Sequence, residues 1–384
     1  MSKYYKAKQI ILEGSVAEAA YLEVRDNGSF GKIVDTLPSG SEAITDYQHL
    51  IIAPGLVDTH IHGFKGYDIM DNDPDGLRYI SEKLLTCGVT SWLPTTLTDS
   101  VEKLNAVCSM IKEHYQSCQG AKVRGIFLEG PFFTEKYKGA QNPKYMSDPS
   151  IDVLNEWINL SGGLVNKIAI APEREGVIPF IEYAKNHGVH TALAHSDASF
   201  EQAKAAVEAG ANIFIHLYNG MSGLHHRNPG MVGAALSLKN VFAELIADGH
   251  HVHPAAIKVA LKARGLEEMV LITDCMRAGG MEEGISRLGE FEVKVSEGAA
   301  RLVNGGNLAG SILELIQAVQ NLIKWDLVTI DQAIRMASLN PARSIGIQAE
   351  CGSIRSDLAA DFIVIDEEGG LKATFLDGQL RYQA

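Results

Sequence analysis

The chain has 384 residues, 46% of them hydrophobic and 21% charged, without a low-complexity tract; this excludes a disordered or collagen-like chain and leaves enough apolar residues for a large core. Its 34 basic and 47 acidic residues give a formal charge of −13, which excludes generic binding to nucleic acid or an anionic membrane, since both would be repelled at long range. No apolar run reaches the roughly 18 residues of a membrane span, the start MSKYYKAKQIILEG lacks a secretory signal's apolar stretch, and the five cysteines (Cys87, Cys108, Cys118, Cys275, Cys351) form no CxxC pair, so reduced thiols and a cytoplasmic location are expected.

Near the amino end, AAYLEVRDNGSFGKIVD reads as two alternating segments around a DNG turn. Eight short apolar runs then follow: LIIAPGLVDTHIH (50–62), GVTSWLPTT (88–96), VRGIFLEG (123–130), NKIAIAPE (166–173), VHTALAH (189–195), NIFIHLYN (212–219), VFAELIADG (241–249) and MVLITDC (269–275). Helical patterns such as SVEKLNAVCSMIKEHY and FEQAKAAVEAG lie between them, several closed by a glycine that can take a left-handed cap conformation. FEVKVSEGAARLVNGG (291–306) reads as a hairpin inserted after the eighth strand, followed by the helices SILELIQAVQNLIKW and TIDQAIRMASLN. DFIVIDEEGGLKATFLDGQLRY adds two last short strands. Eight βα units with buried strands predict a (β/α)8 TIM barrel over residues 54–344. Neither flank can bury a face alone, so residues 1–53 and 345–384 are expected to pair into a small β-sandwich domain. Trp92, Trp157 and Trp325 sit in apolar surroundings and read as packing.

Active sites of such barrels lie at the carboxyl ends of the strands. The first run ends in His60 and His62, the third in Glu129, the fifth in His195, the sixth in His216 and the eighth in Asp274. A spacing of two puts both imidazoles of His60 and His62 on one face of a strand. Any one of these histidines alone reads as an ordinary hydrogen-bonded residue; their joint placement with a carboxylate points to a divalent metal, because imidazole and carboxylate form the ligand set for zinc and similar ions. Such an ion makes water acidic near pH 7, and Asp274 could take the water proton and return it to a departing amine. An acidic protein that binds an anion also needs local donors, and two clusters supply them, His225-His226-Arg227 and His250-His251. No GxGxxG follows a strand and no GxxxxGK[ST] occurs, so no nucleotide is expected.

The segments APGLVDTHIHG (53–63), GVTSWLPTTLT (88–98), LEGPFF (128–133), GAQNP (139–143), AHSDA (194–198), HLYNGM (216–221), RNPG (227–230), ADGHHVHP (247–254), LITD (271–274), NLAGS (307–311), SLNPA (338–342) and GSIRSDLAADFIVID (352–366) follow in this order. Together they resemble the amidohydrolase superfamily, and most closely its N-acetylglucosamine-6-phosphate deacetylase family, over essentially the whole chain. The resemblance implies hydrolysis of N-acetyl-D-glucosamine 6-phosphate to D-glucosamine 6-phosphate and acetate, a step of amino-sugar catabolism and recycling. It implies Glu129, His195 and His216 as principal metal ligands, Asp274 as acid/base, and His60 with His62 as the pair for a second metal. One or two ions per subunit follow, zinc first, with iron, manganese or cobalt also suited. It further implies that Arg227 and His251, beside His250, grip the 6-phosphate, that Asn219, Gly220 and the Asn307-Leu308-Ala309 turn line the sugar, and that Arg227 reaches a neighbouring site in a homodimer. Where the family often has histidine, this chain has Gln141 next to Ala140, a neutral amide that can still donate to the acetyl oxygen. The alternatives are another amidohydrolase, such as an N-acyl-D-amino-acid deacylase or cyclic amidase, and a metal-free assembly barrel, against which every ligand position is filled.

Overall fold

A computed structural model describes residues 2–41 and 43–384. The eight barrel strands are Leu56–Ile61, Val89–Thr96, Ile126–Phe132, Val165–Ile170, His190–Leu193, Ile213–Phe214, Phe242–Leu245 and Met269–Leu271. Each pairs in parallel with the next in chain order. The ring closes between the eighth and first strands where the Asp274 N–H donates to the His60 carbonyl at 2.9 Å and the His62 N–H to the Cys275 carbonyl at 2.9 Å. Helices follow the strands and carry their own start signals. Ser100 caps Val101–His114, Ser199 and Gln202 form a capping box on Phe200–Ala209, and Pro254 opens Pro254–Arg264. Val57, Leu93, Phe127, Ala169, Ala192 and Ile213 pack together as a buried cluster drawn from six of the eight strands. Trp92 and Trp157 are fully buried, and Trp325 packs part-buried against the core.

The two chain ends build one sheet. The amino end contributes Lys3–Ile11, Val16–Glu18, Tyr21–Val24, Phe30–Val34 and Ala43–Pro54, and the carboxyl end Phe362–Ile365, Leu371–Leu376 and Gln379–Gln383. They join where Ile52 pairs with Val364 and Pro54 with Phe362. The sheet curls around Tyr5, Leu22, Phe30, Ile52, Phe362 and Phe375, with the Phe362 and Phe375 rings stacked at 4.2 Å. Each fully buried large apolar side chain contributes about 1.5–3 kcal/mol, which neither chain end could collect alone. Among the described residues no helix is long and apolar enough to cross a membrane.

Three details differ from the sequence reading. The apolar run 50–62 is divided between two sheets, because Ala43–Pro54 stays with the terminal strands and Leu56–Ile61 enters the barrel. The change of partner falls at Gly55, where a Cβ would lie 2.1 Å from Thr90 Oγ1. The inserted hairpin has a third strand, Gly284–Leu288, in which only Leu288 is buried, so no apolar alternation marks it. Finally, Ile345, Ile347 and Cys351 pack with the Val57–Leu93–Phe127 cluster, so barrel packing continues past residue 344.

Candidate active site

The strands that carry His195, His216 and Asp274 stop at Leu193, Phe214 and Leu271, short of the apolar runs that suggested them. The three site residues take φ angles of 41°, 32° and 50°, a left-handed region that costs a side chain with a Cβ on the order of 1–3 kcal/mol. The bend turns each of them onto one cavity at the barrel mouth.

Glu129 is the centre of that cavity's floor. Its Oε1 lies 3.3 Å from His195 Nε2 and 3.3 Å from His216 Nε2, and the two nitrogens are 3.2 Å apart. His195 Nδ1 donates to the Tyr137 carbonyl at 2.9 Å and His216 Nδ1 to the Asn219 carbonyl at 3.0 Å. A carbonyl only accepts, so each neutral ring keeps its proton on Nδ1 and presents a lone pair at Nε2. Burial lowers the His216 pKa further and favours that neutral form. Three electron-pair donors therefore converge with no proton between them. Ligand atoms 2.0–2.1 Å from a tetrahedral ion stand about 3.3–3.4 Å apart, close to the separations found. The residues fit a divalent cation.

A second triad adjoins the first. His62 Nε2 lies 3.1 Å from Asp274 Oδ1 and 3.3 Å from Glu129 Oε2. His60 Nε2 is buried without a hydrogen-bond partner, 3.5 Å from Glu129 Oε1 and 3.6 Å from Asp274 Oδ1. In each triad, Glu129–His195–His216 and His60–His62–Asp274, the ligand atoms lie within 4.8 Å of one another. Burial alone would push His60 and His62 down, but the Asp274 and Glu129 carboxylates outweigh it, with Glu244 adding to His60, and raise them to about 9 and about 10. Burial would raise Asp274, and His60 and His62 hold it below the ordinary carboxylate range instead. A cation entering the second triad displaces protons.

The Amidohydrolase family profile matches residues 51–381. The chain belongs to the amidohydrolase family. It is similar along nearly its whole length to the N-acetylglucosamine-6-phosphate deacetylase of Vibrio furnissii, at 40% identity over 99% of this chain and 95% of that one. It is also similar to the N-acetylgalactosamine-6-phosphate deacetylase of Escherichia coli O157:H7, at 38% identity over 99% of both. The fold matches an aspartate-to-alanine mutant of the N-acetyl-D-glucosamine-6-phosphate deacetylase of Mycobacterium smegmatis, solved in complex with N-acetyl-D-glucosamine-6-phosphate, with a TM-score of 0.94 and 28% identity over 100% of both chains. The family resemblance carried by the motifs thus holds at the level of whole chains.

The cavity of this amidohydrolase measures about 380 Å³, within the roughly 300–1,000 Å³ of small-molecule sites. Its walls bring together Ala140, Gln141, Asn219, Gly220, His251, Asn307 and Leu308. Gln141 is held from both ends: Nε2 donates to Glu129 Oε2 at 2.5 Å and Oε1 accepts from the Thr98 N–H at 2.8 Å, which leaves one amide hydrogen for a ligand. Asp248 Oδ2 accepts from His251 Nδ1 at 2.6 Å and fixes that ring at the wall. Gly220 has φ 58°, and a Cβ there would lie 2.8 Å from His195 Nδ1. Gly220→Ala is therefore expected to displace His195 and weaken metal binding by about tenfold or more, measured by chelator competition; unchanged affinity would show that the ring has room to shift.

Four expected site residues lie off the cavity wall, and the first, His60, is fully buried beneath it. Arg227 is exposed, with Nη1 2.7 Å from His226 Nε2. His250 faces a separate open cleft beside Asp248 and Gly298. Ala309 is buried, its N–H bonded to the Ala300 carbonyl at 3.1 Å, so it shapes the turn beneath Leu308. Lys136 and Tyr137 line the cavity without any mark in the sequence, since FTEKYKG has no periodicity. Lys167 and Glu244, also unforeseen, lie buried behind His60; their signal was a lone charge of opposite sign in each of two apolar strands.

Proposed function

We propose that this amidohydrolase hydrolyses N-acetyl-D-glucosamine 6-phosphate to D-glucosamine 6-phosphate and acetate, as a cytoplasmic step of amino-sugar catabolism and recycling. The observation that carries the reading is the meeting of both triads at one cavity floor, with Glu129 in contact with the histidines of both and Asp274 lining the cavity beside them. A divalent ion held by Glu129, His195 and His216, zinc first and iron, manganese or cobalt also suited, supplies a Lewis acid and lowers the pKa of water to about 7. His60, His62 and Asp274 are the residues that would hold a second one.

Asp274, kept ionised by His60 and His62, accepts the proton of the attacking water and donates it to the amine nitrogen as the C–N bond breaks. The remaining Gln141 amide hydrogen donates to the acetyl oxygen as negative charge develops there. Asn219, Gly220, Asn307 and Leu308 flank the sugar, and His251 meets the 6-phosphate. Arg227 stands off its own cavity wall, as a group serving a neighbouring subunit must, which supports a homodimer in which each arginine completes its partner's phosphate site.

The test is acetate release from N-acetylglucosamine with and without its 6-phosphate, with N-acetylgalactosamine 6-phosphate alongside. Turnover of the phosphorylated sugar alone is expected. Arg227→Ala and His251→Asn should each raise KM roughly 10- to 100-fold with kcat within a few-fold, since a hydrogen bond to a charged group is worth about 1.5–3 kcal/mol. Equal turnover of the phosphate-free sugar would remove the substrate assignment. The 38% identity to the galactosamine enzyme, beside 40% to the glucosamine one, supports a second reading with the galacto epimer as substrate; a higher kcat/KM for that sugar would replace the first.

A further inference from the structure

Two charged side chains lie behind the cavity floor, on the far side of His60, with no exposure at all. Lys167, on the strand Val165–Ile170, places Nζ 2.6 Å from Oε1 of Glu244, on the strand Phe242–Leu245. The ammonium also donates to the Thr59 carbonyl at 2.9 Å and sits 3.7 Å from the Phe127 ring centroid, so three partners hold it. Glu244 turns its other oxygen, Oε2, to His60 Nδ1 at 3.0 Å.

Stability does not account for such a pair. Removing two charges from water costs several kcal/mol per ion, and apolar residues of similar volume often stabilise as well or better. The contact that leads out of the pair toward the cavity is the one with His60. A carboxylate only accepts, so His60 Nδ1 carries a hydrogen and Nε2 is the nitrogen aimed between Glu129 and Asp274. The first triad is backed differently, by the carbonyl oxygens of Tyr137 and Asn219.

We propose that Lys167 and Glu244 form a buried positioning pair for one metal only: Glu244 fixes the His60 ring with Nε2 toward the His60–His62–Asp274 triad, and Lys167 holds the Glu244 carboxylate in place. The inference rests on the metal-dependent reading above and extends it to two residues behind the cavity wall. Outer partners of metal-bound histidines are commonly worth 10- to 100-fold in affinity.

The test is Co²⁺ titration of the metal-depleted full-length protein, following the visible absorption of each equivalent, with chelator competition for affinities. Two double variants leave no unpaired buried charge. Lys167→Met with Glu244→Leu removes the acceptor for His60 Nδ1, and Lys167→Met with Glu244→Gln retains one. The first is expected to lose 10- to 100-fold in the affinity of one equivalent and to change its absorption, with the other equivalent within about threefold; the second, which keeps an acceptor for His60 but lacks the lysine that holds it, should recover part of that loss. Wild-type binding of both equivalents by the leucine variant, an equal fall in both affinities, or identical behaviour of the two variants would overturn the proposal. So would a wild type that takes up a single ion, and acetate release by that same sample would show the catalytic reading intact. Site-selective loss in a protein that releases no acetate would support the pair and remove the substrate reading instead.

Discussion

Asp274→Asn is expected to lower kcat by about 10³-fold or more, with KM within a few-fold and with wild-type metal content at saturating metal. Positioned proton transfer contributes about 10²–10⁴-fold, and the proposed reaction asks this one carboxylate to do it twice, toward the water and then toward the amine. The choice between the two carboxylates at the floor follows from their surroundings. Glu129 is 3% exposed and has both oxygens engaged, Oε1 by His195 and His216 and Oε2 by His62 and Gln141. Asp274 is 13% exposed, and its Oδ1 takes the His62 contact. Only Asp274 therefore has an oxygen available to the cavity, and asparagine keeps its size and its acceptor for His62 but cannot take up a proton. A kcat within tenfold of wild type in the metal-loaded variant, measured as acetate release, would remove Asp274 from the acid/base role.

The residues of the floor were legible because each closes an apolar run, and a polar group that ends a buried strand must have something to bind. The exact strand ends were not. NIFIHLYN and VHTALAH are apolar through to the histidine, and residue type does not reveal that the chain leaves the ladder early so that His216 and His195 can adopt positive φ. LIIAPGLVDTHIH has the apolar composition of one long strand, and its two halves part at the Pro54-Gly55 dipeptide, where a Cβ on Gly55 would also meet Thr90. Walls built from loops were half visible. Asn219, Gly220, Asn307 and Leu308 came from the family motifs, whereas Lys136 and Tyr137 reach the cavity through short turns whose course depends on the assembled barrel. The charges of Lys167 and Glu244 were readable as anomalies in buried strands, yet that they meet each other and His60 depends on bringing the fourth, seventh and first strands into one ring.

Glu129→Gln is expected to abolish activity by a different route, through loss of the ion, while the protein stays folded with a Tm within a few degrees of the metal-free wild type. The network around this side chain dictates how the new amide must sit. Gln141 cannot reverse, because its Oε1 already accepts from the Thr98 N–H. It keeps presenting an N–H where Glu129 Oε2 now lies, so the new amide has to place its oxygen there and its nitrogen where Oε1 now meets His195 and His216. That NH₂ points two hydrogens at the two Nε2 lone pairs, satisfying the groups that otherwise require a cation. Loss of the carboxylate charge adds to the effect, since Glu129 is the one anionic member of its triad and a neutral amide no longer offsets the charge of the ion. Metal analysis after dialysis should show this site empty in the variant and filled in the wild type, with activity returning at most partly under high metal. Asp274→Asn and Glu129→Gln would then fail in opposite ways, one loaded and inactive, the other inactive because unloaded. Retention of a full complement of metal by Glu129→Gln would remove Glu129 as the principal ligand.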